Sequence, residues 1–327
     1  MKQPVAPKRA RARSPFRLTP RLVAATAEAA CLLEARAPKP GNVSPGRERP
    51  GLTYRDFVVS ASILGSVFRR RAARGRVGAL VLETIRRSRA QVGTNTHLGI
   101  VLLLAPLAKA ALLEEGRRGA SLRDRVRRVL GGLDRRDARD AYEAIRLARP
   151  GGLGRVEKED VRRAPAVTLL EAMRLAAERD AVARAYASGY EAVFETGVPA
   201  IMRLRRRGAG VDQAIAGAFL ELLAKEPDTL VRRRHGDRVA ARVSREAALA
   251  LRAGGPLRPA GRRILAQLDA RLRAARPPIN PGATADLVAA SLFVWLLPRP
   301  SGGRVAPGPP RRNASPRGRS RSRRPSP

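Results

Sequence analysis

Cysteine occurs once in this chain of 327 residues, at Cys31, which excludes an intramolecular disulfide and any zinc site built from several thiolates. Histidine occurs twice, at His97 and His235, so a conventional zinc enzyme is not expected either. Aromatic residues make up 3% of the chain and are scattered, so the stacking platforms that read single-stranded nucleic acids are missing. No apolar run reaches the roughly 20 residues of a membrane-spanning helix. The longest, Leu287 to Leu297, includes a serine. Neither a GxxxxGK[ST] loop nor a GxGxxG turn is present, which removes the common nucleotide-binding signatures. No clean apolar stretch with a small-residue cleavage site follows the basic N-terminus, so no secretory signal is read. With one cysteine, a reducing cytoplasm is the expected setting.

Positive charge is abundant by contrast. The formal net charge is +38, and only six of the 66 basic residues are lysine. Residues 1–21 hold seven basic residues and no acid, and residues 299–327 hold nine arginines and no acid. A phosphate-binding surface and a GC-rich coding sequence both produce such an excess of arginine. The segments 1–19 and 299–327 are too poor in apolar residues to offset ordering entropy, so both are expected to be disordered tails. They can still bind RNA or DNA weakly.

Hydrophobic residues are 44% of the chain, and they recur at helical spacing almost throughout. Leu257, Ile264, Leu265, Leu268 and Leu272 define one amphipathic face. Similar patterns cover about 17–35, 54–71, 76–90, 98–115, 121–130, 136–148, 165–190, 192–206, 211–225, 237–252 and 283–297. No segment shows a period of two. The expectation is an all-α fold, one compact bundle of about a dozen helices over residues 20–298, with the apolar helix 283–297 at its centre.

Chemistry must then come from carboxylates, amides, Arg, Lys and two histidines. In PKPGNV, Pro38 to Val43, prolines fix the chain and Gly41 permits close approach, so Lys39 and Asn42 can face a phosphate. A rigid helix connector fits the same letters. Asp56 follows at the start of the next helix. In GTNTHLG, Gly93 to Gly99, Asn95 or Thr96 can cap a helix whose N-terminus attracts anions. There His97 would be held neutral by the helix dipole. A plain cap with a surface histidine is the alternative. Asp228 and Thr229 follow a proline turn, and Arg232, Arg233, Arg234 and His235 form a positive patch suited to a polyphosphate, or a solvated charge run. Asp180 falls on the face of a 165–190 helix that carries Leu169, Met173 and Ala176, as a site lining or a structural ion pair. Asp286 stands in the first turn of the most apolar helix, where the dipole favours a carboxylate and where it can help hold a metal.

Taken in order, PKPGNVS (38–44), NTHLG (95–99), DTLVRRRHG (228–236) and GATADLV (282–288) resemble the motifs of the triphosphoribosyl-dephospho-CoA synthase family, over about residues 20–298. Departures are a missing histidine where this chain reads GLTYRDF around Asp56, Leu98 in place of a lysine, and Leu230 in place of an asparagine. The resemblance implies an enzyme that moves the 5-triphosphoribosyl group of ATP to dephospho-CoA or a related nucleotide, releasing adenine. It implies Asp56 or Asp180 as general base or stabiliser of the ribose C1', and His97 as an adenine or phosphate contact. Lys39, Arg234 and magnesium would clamp the triphosphate, with Asn42, Asn95, Thr96, Asp228, Thr229 and His235 binding substrate and Asp286 holding the metal. A homodimer is compatible with it. The competing classes are a basic nucleic-acid-binding protein and an inactive family member kept as a scaffold.

Overall fold

The computed structural model describes residues 18–49, 51–113 and 120–298. The terminal segments expected to be disordered lie outside these residues, apart from Leu18 and Thr19. The elements are α1 (Pro20–Arg36), α2 (Tyr54–Arg71), α3 (Val77–Val92), α4 (Leu98–Leu112), α5 (Leu122–Gly131), α6 (Arg135–Ala148), α7 (Leu169–Ala176) and α8 (Ala181–Ala187). A π-turn, Ala192–Gly197, leads into α9 (Val198–Arg206), followed by α10 (Val211–Lys225), α11 (Thr229–His235), α12 (Asp237–Arg252), α13 (Pro259–Ala274) and α14 (Gly282–Leu296). Among the described residues there is no β-strand, only local bridges Ser44–Arg47 and Arg49–Leu52 that tighten the loop before α2. The all-helical expectation holds. No helix among the described residues is long and apolar enough to cross a membrane.

Helix starts are written locally. Thr53 with Asp56, Ser121 with Asp124, Asp134 with Asp137 and Thr168 with Glu171 each form a capping box, satisfying backbone donors that the first turn leaves open. The centre is built from the two most apolar helices. α14 packs against α1, α4, α9 and α10, and α4 packs against α1, α3 and α5. Phe293, Leu292 and Val288 of α14 and Leu103, Leu104 and Leu107 of α4 are fully buried. Burial of each such side chain stabilises by about 1.5 to 3 kcal/mol.

Pro106 lies inside α4 and has no N–H for the Leu102 carbonyl one turn earlier. The buried Tyr186 hydroxyl donates to that carbonyl at 2.7 Å, and Tyr190 donates to Leu103 O at 2.9 Å, so α8 and the turn after it repair the gap. Cys31, on the inner face of α1, is completely buried.

Two expectations are corrected. The helix expected over 165–190 is two helices, because Asp180 leaves helical geometry and caps α8: its Oδ1 accepts from Val182 N at 2.9 Å and Ala183 N at 3.0 Å. Asp180 is therefore an interruption, not a carboxylate on an apolar stripe. The charge patch after Pro227 is itself helical, as α11.

Candidate active site

The loop between α1 and α2 is held from the opposite end of the chain. Gly41 has φ 75°, and a Cβ there would lie 2.7 Å from Ile279 O, so glycine is required twice over. Asp269 of α13 accepts from Gly41 N at 2.8 Å and pairs with Arg47 and Arg273 at 2.9 Å. Arg49 donates to the carbonyls of Gly41 and Ile279. Burial, with Arg273 and Arg234 nearby, lowers the Arg49 pKa to about 10.

Against this frame two cavities meet. The larger, about 490 Å³, lies between α4, α6, α7, α8 and the segment 149–161. Arginines 49, 149, 179, 233 and 234 line it, opposite an apolar wall that includes Leu102, Ile145 and Met173. The smaller, about 120 Å³, is lined by Glu34, Asn42, Phe57, Asn95, Thr96 and Asn280 among others. Asp286, Asn95, Asn280 and Gly99 border both. The Asp286 carboxylate fills the space a side chain at Gly99 would take, so the NTHLG glycine makes room for it. Burial and the nearby Glu34, Asp228 and Asp180 carboxylates hold the Asp286 pKa well above the ordinary range, against the lowering effect of Arg233. The structure shows no hydrogen bond or ion pair from its side chain to another described residue.

Of the residues singled out in the sequence, Asn42, Asn95, Thr96, Asp180, Arg234 and Asp286 line these cavities. Asn95 Oδ1 also accepts from Leu98 N at 3.2 Å, as a cap. Asp180 is at the edge, but its second oxygen is paired with Arg233. Arg234 is exposed at the mouth, with no carboxylate partner among the described residues.

The others line neither cavity and are engaged elsewhere. Lys39 is buried, with Nζ donating to Glu34 O and Ala37 O and paired with Glu34 Oε1 at 3.0 Å, so its three donors are directed back at the end of α1. It lines neither cavity. Asp56 Oδ2 accepts from Thr53 N at 2.7 Å and Thr53 Oγ1 at 2.9 Å, which makes it a cap for α2. Asp228 and Thr229 are structural: Asp228 caps α11 and binds Thr284, while Thr229 Oγ1 accepts from Ala181 N at 3.1 Å. His97 is buried beside Phe57, its Nδ1 3.0 Å from Thr96 Oγ1, which in turn lies 2.6 Å from Ser60 Oγ. Burial lowers its pKa to about 3, so desolvation holds the imidazole neutral. His235, at the end of α11, has its pKa lowered by burial, then by Arg234 and Arg49.

The magnesium expected at Asp286 finds no matching ligand set. Among the described residues no group of three or more His, Cys, Asp or Glu is arranged to hold a metal ion. The nearby Glu34 is held by Lys39 and Asp180 by Arg233. Asp286 is thus a carboxyl without a partner among the described residues, at the junction of the two cavities.

Arg49, Arg149, Arg179, Glu159, Tyr142 and Asn280 were not picked out as site residues. Tyr142 OH donates to Glu159 Oε2 at 3.0 Å, fixing the irregular segment over the large cavity. Arg149 has φ 48° at the end of α6, immediately before Pro150 and Gly151, a helix stop that the sequence signals.

A family model described as ATP:dephospho-CoA triphosphoribosyl transferase matches residues 20–305. The chain is 32% identical over 209 residues to a protein of Stutzerimonas stutzeri named a probable 2-(5''-triphosphoribosyl)-3'-dephosphocoenzyme-A synthase, covering 64% of this chain and 63% of that one. It is 33% identical over 212 residues to a Pseudomonas aeruginosa protein of the same name, again 63% of that protein's length. These matches thus span somewhat under two thirds of the relatives. A crystal structure of a candidate triphosphoribosyl-dephospho-CoA synthase from Archaeoglobus fulgidus superposes with a TM-score of 0.57 at 26% identity, covering 73% of this chain and 97% of that one.

Proposed function

The chain belongs to the ATP:dephospho-CoA triphosphoribosyl transferase family, and from that premise we propose that it transfers the 5-triphosphoribosyl group of ATP to dephospho-CoA or a related nucleotide. Adenine is the leaving group. The observation that carries this reading is the joining of an arginine-lined cavity to a smaller amide-lined one at a single carboxyl, Asp286. Arg149, Arg179 and Arg234, each lining the large cavity, supply positive charge for a triphosphate. Magnesium then belongs to the ATP phosphates and their water, not to a preassembled protein site.

In the reaction, the bond from ribose C1' to the adenine nitrogen breaks and its electrons leave with the base. A hydroxyl oxygen of the acceptor forms the new bond to C1', and its proton passes to solvent in the open large cavity. Asp286, whose pKa burial and the neighbouring carboxylates raise, is the group placed to give a proton to the departing base, and it is reprotonated from water. Asp56, which lines neither cavity, is given no part in this step. The buried lone thiol and the absence of a spanning helix among the described residues fit a cytoplasmic enzyme.

Chromatography of ATP incubated with the protein, magnesium and dephospho-CoA is expected to give adenine. ADP or free phosphate as the only product would overturn the transferase reading. Adenine formed with another nucleotide but not with dephospho-CoA would keep the reaction and change the acceptor.

A further inference from the structure

α9, α12 and α13 contribute no residue to either cavity, yet where they meet they carry arginines without acids. Residues 196–211 and 250–268 contain no aspartate or glutamate. Arg205, Arg206 and Arg207 are exposed at the C-terminus of α9. Arg252 at the last position of α12, and Arg258, Arg262 and Arg263 around the start of α13, are exposed as well.

Packing joins the two sets. Leu204 of α9 and Pro256, in the short turn Gly255–Leu257 between α12 and α13, are buried against Gly217 of α10. A Cβ on Gly217 would run into Leu204 and lie 3.5 Å from Pro256. The turn is firmly held: a Cβ on Gly261 would strike Gly255 O, and Arg262 donates to Leu257 O at 3.0 Å. The carboxylates of α10 are already engaged, Asp212 with Arg36 at 2.7 Å and Glu221 with Arg203. None of the seven arginines therefore has a carboxylate partner among the described residues. α3 shows the contrast, with Arg86 paired to Glu143 at 2.6 Å and Arg87 to Glu83 at 2.7 Å.

Guanidiniums gathered without counter-charge repel one another, and a partner with closely spaced anions relieves that repulsion. The other side chains decide which partner. No aromatic residue falls within 196–211 or 250–268, so nothing there stacks unpaired bases. Leu249, one turn before Arg252, is the only exposed large apolar side chain among the described residues of α9, α12 and α13. One leucine supplies neither the apolar core of a protein interface nor the apolar face that enters a lipid surface. Phosphate groups on a regular backbone suit what is there, since a guanidinium binds phosphate through two parallel N–H groups.

We propose that this edge of the bundle, formed by the end of α9 and the α12–α13 turn, binds the phosphate backbone of a nucleic-acid duplex without reading its bases. The property is additional to the transferase reading and does not rest on it. Charge carries the contact, so binding is steeply salt-dependent, and it leaves both cavities open.

The test is fluorescence anisotropy of a labelled mixed-sequence DNA duplex, and of the RNA duplex of the same sequence, titrated with the full chain at several salt concentrations. Two variants each remove three charges from the surface: Arg205→Gln with Arg206→Gln and Arg207→Gln, and Arg252→Gln with Arg258→Gln and Arg263→Gln. A third, Arg128→Gln with Arg136→Gln and Arg139→Gln, removes three exposed arginines from α5 and α6. Each of the first two is expected to weaken binding by about tenfold or more, and to lower the slope of log affinity against log salt by about 2 to 3, at about 0.9 for each phosphate contact. The third, and saturating ATP with the wild type, should each change duplex affinity by less than about threefold. The tighter of the two duplexes identifies the source of the backbone. Circular dichroism reports folding, and if one surface variant does not fold the other decides. Equal losses in all three variants, displacement of the duplex by ATP, or no duplex binding at low salt would overturn the proposal. So would binding to phosphatidylserine vesicles, lost in the first two variants, by a chain that ignores the duplex.

Discussion

Asp228 fastens the start of α11 to the start of α14: its Oδ2 accepts the backbone N–H and the hydroxyl of Thr284, each at 2.7 Å, while its Oδ1 caps α11 through Leu230 and Val231. One buried carboxylate thus sets the relative position of the helix carrying Arg233 and Arg234 and the helix carrying Asp286. Asp228→Ala leaves several buried donors unpaired and is expected to lower stability by about 3 kcal/mol or more. Thr284→Val removes only the hydroxyl bond and should cost about 1 kcal/mol. Denaturant unfolding of the two variants measures the difference.

Lys39 is expected to behave as a structural residue. Lys39→Met removes one partner of a buried pair and should destabilise by about 3 to 5 kcal/mol, because Glu34 is left buried and uncompensated. ATP affinity of the folded fraction should stay within about threefold of wild type, measured by titration at a temperature well below the unfolding midpoint; a tenfold loss would return Lys39 to the substrate site.

Arg234 should show the opposite pattern. It is exposed, and Arg234→Ala is expected to leave the unfolding midpoint nearly unchanged. A charge-assisted contact to phosphate is worth about 1.5 to 3 kcal/mol, so the ATP dissociation constant should rise roughly ten- to a hundredfold. Raising the salt concentration should weaken wild-type binding more steeply than variant binding.

Asp286 links activity to acidity. As the proton donor it should be active in its neutral form, so adenine release is expected to fall as pH rises through its raised pKa. Asp286→Asn should lower kcat by about a hundredfold or more and change ATP affinity by less than threefold. The same shift has a stability consequence. A carboxyl that holds its proton to higher pH when folded than when unfolded stabilises the fold under acid conditions, and that contribution is lost as pH rises through the folded pKa. Thermal melts should therefore show Asp286→Asn more stable than wild type at pH 8 and equal to it near pH 4. A variant less stable at both pH values would show that the carboxylate is needed for the fold. A higher magnesium requirement in the variant would make it a metal ligand instead.

The helices were legible where the pattern is local. The spans 211–225 and 237–252 match α10 and α12, and the apolar run near the end is the central α14. The interruption at Asp180 was concealed by the alanine-rich stretch around it, since helix propensity outweighs a single capping residue until the cap's partners are known. Lys39 and Asp56 have the side chains that phosphate binding or base catalysis needs. Their partners, however, lie within five residues, and Thr53-x-x-Asp56 is a capping box readable from the sequence. Arg49, Arg149 and Arg179 could not be found that way. They are drawn to one cavity from distant segments, and among so many arginines nothing local distinguishes them.

Cys31 gives the molecule a built-in reporter. It is the sole thiol, wholly buried on α1, and burial together with Glu34, Glu28 and Asp286 pushes it well away from the reactive thiolate form. An alkylating reagent can meet it only when α1 lifts from the central helices, so the rate of modification counts those openings directly. Because α1 also carries Glu34 at the small cavity, a nucleotide bound at the adjoining Asp286 should slow that clock without touching the sulfur.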